Sequence, residues 1–162
     1  MFTWEEFAVA APDLAAVGKR LLYQYKVGYA FLATVRKDGG PRVHPVCPTL
    51  AHGHLYVFVE EKSPKKDDLL RDGRYALHTF APEEGDEEFY CTGHAEPIAD
   101  SGVRAGVVAG YHRRPRDTEV LFELRIEHVL HTFWENWPKP GMRPIRTKWH
   151  AGSEDRPAFS EV

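Results

Sequence analysis

Two cysteines, Cys47 and Cys91, are all the chain has. They lie far apart, with neither a second cysteine nor a zinc-like spacing beside either, so neither a disulfide framework nor a structural metal site is expected. Such a chain suits a reducing compartment, and the expected location is the cytoplasm. Long apolar runs are also missing. Nothing approaches the ~20 residues of a membrane span, and Met1-Phe2-Thr3-Trp4-Glu5-Glu6 lacks the basic-then-apolar order of a signal peptide. No membrane partner is expected. Basic residues are in deficit, with 21 Lys and Arg against 24 Asp and Glu and a formal charge of −3. Nucleic acid is therefore not an expected partner, because binding it rests on clustered cations that neutralise phosphates. Catalytic signatures are scarce as well: G-x-S-x-G and Walker sequences are absent, and the nine histidines show no spacing like H-E-x-x-H. Hydrolase, nucleotide-triphosphatase and resident-metal readings gain no support, and no catalytic residue is assigned.

What the chain does have is 43% hydrophobic and 12% aromatic residues, enough for one substantial core. A single domain is expected over residues 1–150. The polar, proline-containing tail over 151–162 has no periodicity and is expected to be unstructured or draped over a partner. Leu14, Val17, Leu21, Leu22 and Tyr25 recur at helical spacing, which predicts a helix from Pro12 to Tyr25. Gly28 to Val35 is rich in aromatic and β-branched residues, and Asp38-Gly39-Gly40 turns the chain into Pro41 to Val46, a hairpin. A second turn at His52-Gly53-His54 leads to a strand over Leu55 to Val59. Ser63-Pro64 reads as a helix start, with serine as N-cap, proline at the first helical position and early Asp67 and Asp68 favouring the dipole; the end falls near Asp72-Gly73. Strands are expected over Arg74 to Phe80, Glu88 to Pro97, Glu119 to Phe133 (one long or bent strand) and Pro144 to Trp149, with a short helix over Asp100 to Gly110. Closely spaced antiparallel strands with three helices predict a small barrel with helical additions, since closure removes exposed edges.

The run from Phe31 to Val46 resembles the first hairpin of the flavin-binding split barrels of the pyridoxamine 5′-phosphate oxidase family. Pro45 fits that physically: it removes a ladder donor, which places its strand at an edge where backbone groups can meet a ligand. Taken alone, a plain hairpin with Arg42 and His44 in water explains the run equally well. The stretch Ser63-Pro64-Lys65-Lys66-Asp67-Asp68-Leu69-Leu70-Arg71-Asp72-Gly73-Arg74-Tyr75-Ala76-Leu77 resembles the family's phosphate-binding helix and the strand after it. A helix N-terminus offers unpaired N–H groups and partial positive charge, a serine adds a donor and a lysine a full charge. Alone, this stretch reads as a capped helix with solvated lysines; its distance downstream of the Arg42 strand matches the family.

The resemblance runs from about Gly28 through Pro97, and more weakly to Trp149. It implies a mainly β fold with α additions, a small antiparallel split β-barrel acting as a homodimer. FMN would lie at the interface, with Arg42, Val43, His44, Pro45, Val46, Val59, Ser63, Lys65 and Lys66 as its contacts. Strand alternation sends Arg42 and His44 to one face, and an anion at the rim would answer the Arg42 charge. Trp149 resembles the late tryptophan that covers the flavin of the opposite subunit in some relatives, the alternative being a core or dimer anchor. Two departures stand out: Pro64 replaces an arginine of the family pattern, and Glu88 occupies the region of an amide side chain. The implied activity is that of an FMN-dependent oxidoreductase on a small-molecule substrate or electron donor. Related readings on the same fold are a deazaflavin-dependent reductase and a noncatalytic carrier of flavin, haem or tetrapyrrole.

Overall fold

The computed structural model describes residues 1–83 and 85–152, and the backbone of 158–160. Two short helices come first, α1 (Trp4–Ala10) and α2 (Pro12–Leu22), followed by the strands β1 (Ala30–Val35), β2 (Pro41–Val46), β3 (Thr49–Ala51) and β4 (His54–Val59). Then come α3 (Pro64–Arg71), β5 (Arg74–Thr79), β6 (Glu87–Pro97), α4 (Ser101–Gly110), β7 (Val120–Glu135), β8 (Arg143–His150) and β9 (Ala158–Ser160). The first helix was not expected, although its start is written in Thr3-x-x-Glu6. Thr3 Oγ1 accepts from the Glu6 N–H at 3.1 Å while the Glu6 carboxylate accepts from the Thr3 N–H at 2.7 Å, a reciprocal capping box. α1 thereby turns Trp4 and Phe7 into the core.

All strand pairs are antiparallel, in the order β2-β1-β5-β6-β7-β4-β3, with β8 on β7 and β9 on β8. The 16-residue β7 organises the closure. Its first part pairs with β4, its second part with β8 and nearly its whole length with β6, so one strand belongs to both halves of a split β-barrel. The bend comes at a register shift between Thr92 and Gly93. A Cβ at Gly93 would stand 1.8 Å from the Arg125 carbonyl oxygen, so the bulge admits only glycine.

Alternation along the strands separates two faces. Inward lie Leu32, Leu77, Phe89, Cys91 and Val129, which with Phe7, Leu21 and Leu22 form the main core. Cross-strand rows Pro45, Phe31, His78, Tyr90 and Val43, Ala33, Ala76, Thr92 run along the outward face. Phe31 and Val43 are 39% and 58% exposed there. Within the tail expected to be unstructured, Ala158–Ser160 pairs with Arg146, Thr147 and Lys148; residues 153–157 and 161–162 lie outside the described residues. Among those described, no helix is long and apolar enough to cross a membrane.

Candidate functional site

Edge position gives β2 its opening to a ligand. Its only strand partner among the described residues is β1, and Pro45, with no N–H to donate, sits on this edge opposite Phe31. Arg42, His44 and Val46 turn inward while Pro41, Val43 and Pro45 stay exposed. α3 lies over the inward side. Its Asp68, 3% exposed, accepts from Arg42 Nε at 2.7 Å and the Thr34 hydroxyl at 2.9 Å, and Arg71 reaches its other oxygen at 3.3 Å. Burial works to raise the Asp68 pKa, but the bonds from Arg42, Thr34 and Arg71 outweigh it and hold the group below its ordinary value. This carboxylate clamps helix to hairpin.

Arg71, near the end of α3, bonds the carbonyl of Val35, the partner of Pro41. The start of α3 carries Ser63 as N-cap and Lys65 in the first turn. Ser63 has the extended backbone of an N-cap, yet its hydroxyl makes no capping bond, which leaves a donor for something else. Lys65 is half-buried, and desolvation lowers its pKa. No described residue pairs with its ammonium, whereas Lys66 is tied to Asp67 at 2.9 Å. Beside this turn an open groove of about 470 Å³ is lined by Arg36, Arg42, Pro64 and Asp67 among others. Arg36 pairs with Asp38. With Arg42 held by Asp68, the cations of this corner are largely answered from within the chain, and Lys65 is the half-buried exception.

Among the residues picked out by sequence, Arg42 lines the groove with Pro64, Ser63 and Lys65 flank that proline at the start of α3, and others are placed elsewhere. The anion expected to answer Arg42 at the rim is Asp68 of its own chain, so the charge of Arg42 does not by itself require a ligand. Val46 and Val59, at 7% and 0% exposed, belong to the main core. Trp149 takes the second of its two readings, the core anchor. It is 7% exposed, with its ring edge-on to Phe2 at 5.3 Å and tilted against Phe7 at 4.9 Å. The cause is the segment ahead of α2: α1 carries Phe7 onto the indole, and Phe2, just before α1, is held by its backbone bridge to Ile126. Val43 and Pro45 stand on the outward face.

Sequence reasoning took Asp68 as a helix-dipole residue and missed the clamp. The signal was its position beside Leu69 on the face of α3 that must be buried, where a carboxylate needs a cation. Glu88, the departure from the family pattern, stands on the outward face, opposite to the one α3 covers. His78 Nε2 lies 3.0 Å from its carboxylate. Burial raises the Glu88 pKa, but the His78 bond helps outweigh that and bring it below the ordinary value. Glu88 does not confront the Lys65 corner of its own chain.

A family model for pyridoxamine 5′-phosphate oxidase matches residues 24–133. Among solved structures, the chain is similar to a pyridoxamine 5′-phosphate oxidase-related, FMN-binding protein from Nostoc punctiforme, at 17% identity, TM-score 0.64 and 94% coverage of each chain. It is similar to PhzG from Burkholderia lata, in complex with tetrahydrophenazine-1-carboxylic acid, at 13% identity and TM-score 0.64, covering 98% of this chain and 93% of that one. A haem-binding protein from Mycobacterium smegmatis is similar at 18% identity and TM-score 0.59 over 80% of this chain, which spans 57% of that protein. At these identities the likeness is one of fold. No curated protein matches the chain.

Proposed function

Because the chain belongs to the pyridoxamine 5′-phosphate oxidase family, we propose that it is a cytoplasmic FMN-dependent oxidoreductase acting on a small-molecule substrate or electron donor. The observation that carries this reading is Lys65, a half-buried ammonium at a helix start with no described partner, next to a serine hydroxyl not used as a cap. A desolvated cation without a counter-charge is unfavourable, and a phosphate dianion at this helix end would answer it. The residues present fit such a group. Bound FMN would supply the hydride and electron transfer, the protein supplying orientation and charge. Lys65 and Ser63 would hold the phosphate, and Arg42, fixed by Asp68 through Nε, would offer its remaining N–H groups to the phosphate or the pyrimidine edge. The backbone of Val43, His44, Pro45 and Val46, on an edge strand, would form a wall for the ring.

Two such sites belong to a homodimer in this reading, because the outward face carries exposed Phe31 and Val43 that a second copy would cover. Sedimentation tests that part: a dimer is expected, and a monomer at micromolar concentration would count decisively against shared sites. The absorption spectrum of the purified protein, with mass spectrometry of the released ligand, tests the cofactor. Flavin absorbance and FMN are expected. A Soret band would replace the reading with haem carriage, as the name of the Mycobacterium smegmatis relative indicates for that protein. A colourless protein that binds a deazaflavin and not FMN would replace it with the deazaflavin reading.

A further inference from the structure

Away from the α3 corner, the junction of α1 and α2 meets the inward side of β7 and β8 around a cavity of about 280 Å³. Its helical wall is apolar, made by Ala10, Pro12, Leu14 and Val17, and its strand wall is polar, with His131 and Thr147. Those two are direct partners across β7 and β8.

His131 is only 8% exposed, yet one ring nitrogen alone is engaged. Its Nε2 lies 2.9 Å from Glu87 Oε1, the same oxygen that accepts from Arg20 at 2.6 Å. Burial works to raise the Glu87 pKa, but the bonds from Arg20 and His131 outweigh it, so Glu87 remains a carboxylate that accepts from both. With its hydrogen on Nε2, facing Glu87, the imidazole presents Nδ1 as an acceptor. No described residue hydrogen-bonds Nδ1. Nδ1 belongs to a side chain that lines an otherwise largely apolar cavity. Asp13, also in the lining, sets a negative charge at the site and disfavours anions.

We propose that this cavity is a second small-molecule site, separate from the flavin corner, that takes a compact apolar ring carrying a neutral hydroxyl donor, with phenol as the simplest member. The hydroxyl donates to Nδ1 of His131, Thr147 offers its own hydroxyl beside it, and the ring lies against the helical wall. Size permits this, since apolar cavities of roughly 150 Å³ accept benzene.

Fluorine NMR titration of the full chain with 4-fluorophenol, 4-fluorotoluene and 4-fluorobenzoate tests it. The phenol should bind about fivefold or more tightly than the other two, the margin of one neutral hydrogen bond. His131→Phe, which keeps the ring volume, should reduce the phenol to the level of the toluene. Ala10→Trp, an exposed position on the rim that leaves the core alone, should weaken phenol binding about tenfold or more by filling the cavity. Absence of phenol binding, equal affinity for phenol and toluene, benzoate matching phenol, a preference that survives His131→Phe, or binding untouched by Ala10→Trp would each overturn the proposal.

Discussion

Two corners of the barrel interior are closed in opposite ways. Where α1 meets β8, Trp149 is packed against Phe2 and Phe7, and Trp4 lies edge-on to Phe7 at 5.5 Å; apolar surface meets apolar surface and no charge is buried. Where α3 meets β2, closure rests on Asp68 holding Arg42, Thr34 and Arg71, with Lys65 beside it unanswered. The first corner is complete in the isolated chain. The second is stable as a clamp yet carries one desolvated charge that folding alone does not compensate. The contrast separates what maintains the fold from what awaits a ligand, and each half of it can be attacked separately.

The largest effect is expected from Trp149→Ala, which should cost about 3–5 kcal/mol by emptying a fully packed site, read as a lower denaturation midpoint at unchanged slope. FMN affinity of the folded fraction should hardly move. A selective loss of FMN binding would break the comparison by returning Trp149 to the cofactor. Next comes Asp68→Ala, expected to cost about 2–3 kcal/mol because it leaves a buried hydroxyl and a half-buried guanidinium without their acceptor. The pH dependence has a definite sign here. The folded pKa of Asp68 lies below its unfolded value, so its stabilisation is present above about pH 4 and is lost as pH falls through the depressed folded value. Asp68→Asn should therefore flatten the acid limb of the stability profile; an unchanged limb would mean that the charge of Asp68 contributes nothing.

Smaller in free energy but closer to function, Lys65→Ala should weaken FMN binding by about 1.5–3 kcal/mol while Lys66→Ala, whose lysine already has Asp67, does much less. Riboflavin, lacking the phosphate, should bind both variants like the parent in calorimetric titration. Equal affinity of the parent for FMN and riboflavin would reduce this helix end to a cap. The smallest effect is the sharpest. Burial lowers the Lys65 pKa, so its charged form is disfavoured on folding, and Lys65→Met should raise the apoprotein melting temperature by on the order of 1–2 °C while lowering FMN affinity. A fall in melting temperature would show that the ammonium is already compensated.

Much of this was legible in the sequence because local rules and burial agreed. Pro45 announced an edge strand, Ser63-Pro64 announced the start of α3, and the alternation of Val120, Phe122, Leu124 and Ile126 announced the long β7. Thr3 and Glu6 also announced α1, but the signal is local and short, and its consequence for Trp149 is not local at all. No pattern in the chain says that residues at its beginning will cover an indole near its end. The Asp68 clamp stayed hidden for a related reason, since a carboxylate early in a helix has an adequate local explanation in the dipole that conceals a tertiary one. His131 and Glu87 are brought together by the pairing of β6 with β7, which spacing along the chain does not encode.

The aromatic corner has a bearing on how the protein is made. Phe2, Trp4 and Phe7 leave the ribosome long before Trp149, which follows only after every other described strand except β9 has been synthesised. Until then the α1 face has no lasting cover, and the nascent chain carries an apolar helix in search of a surface. Contacts of such long sequence separation slow folding and lengthen the time in which sticky segments are open to the wrong neighbour. Expression yield should therefore respond to chaperone supply and growth temperature more than the stability of the finished barrel alone would suggest.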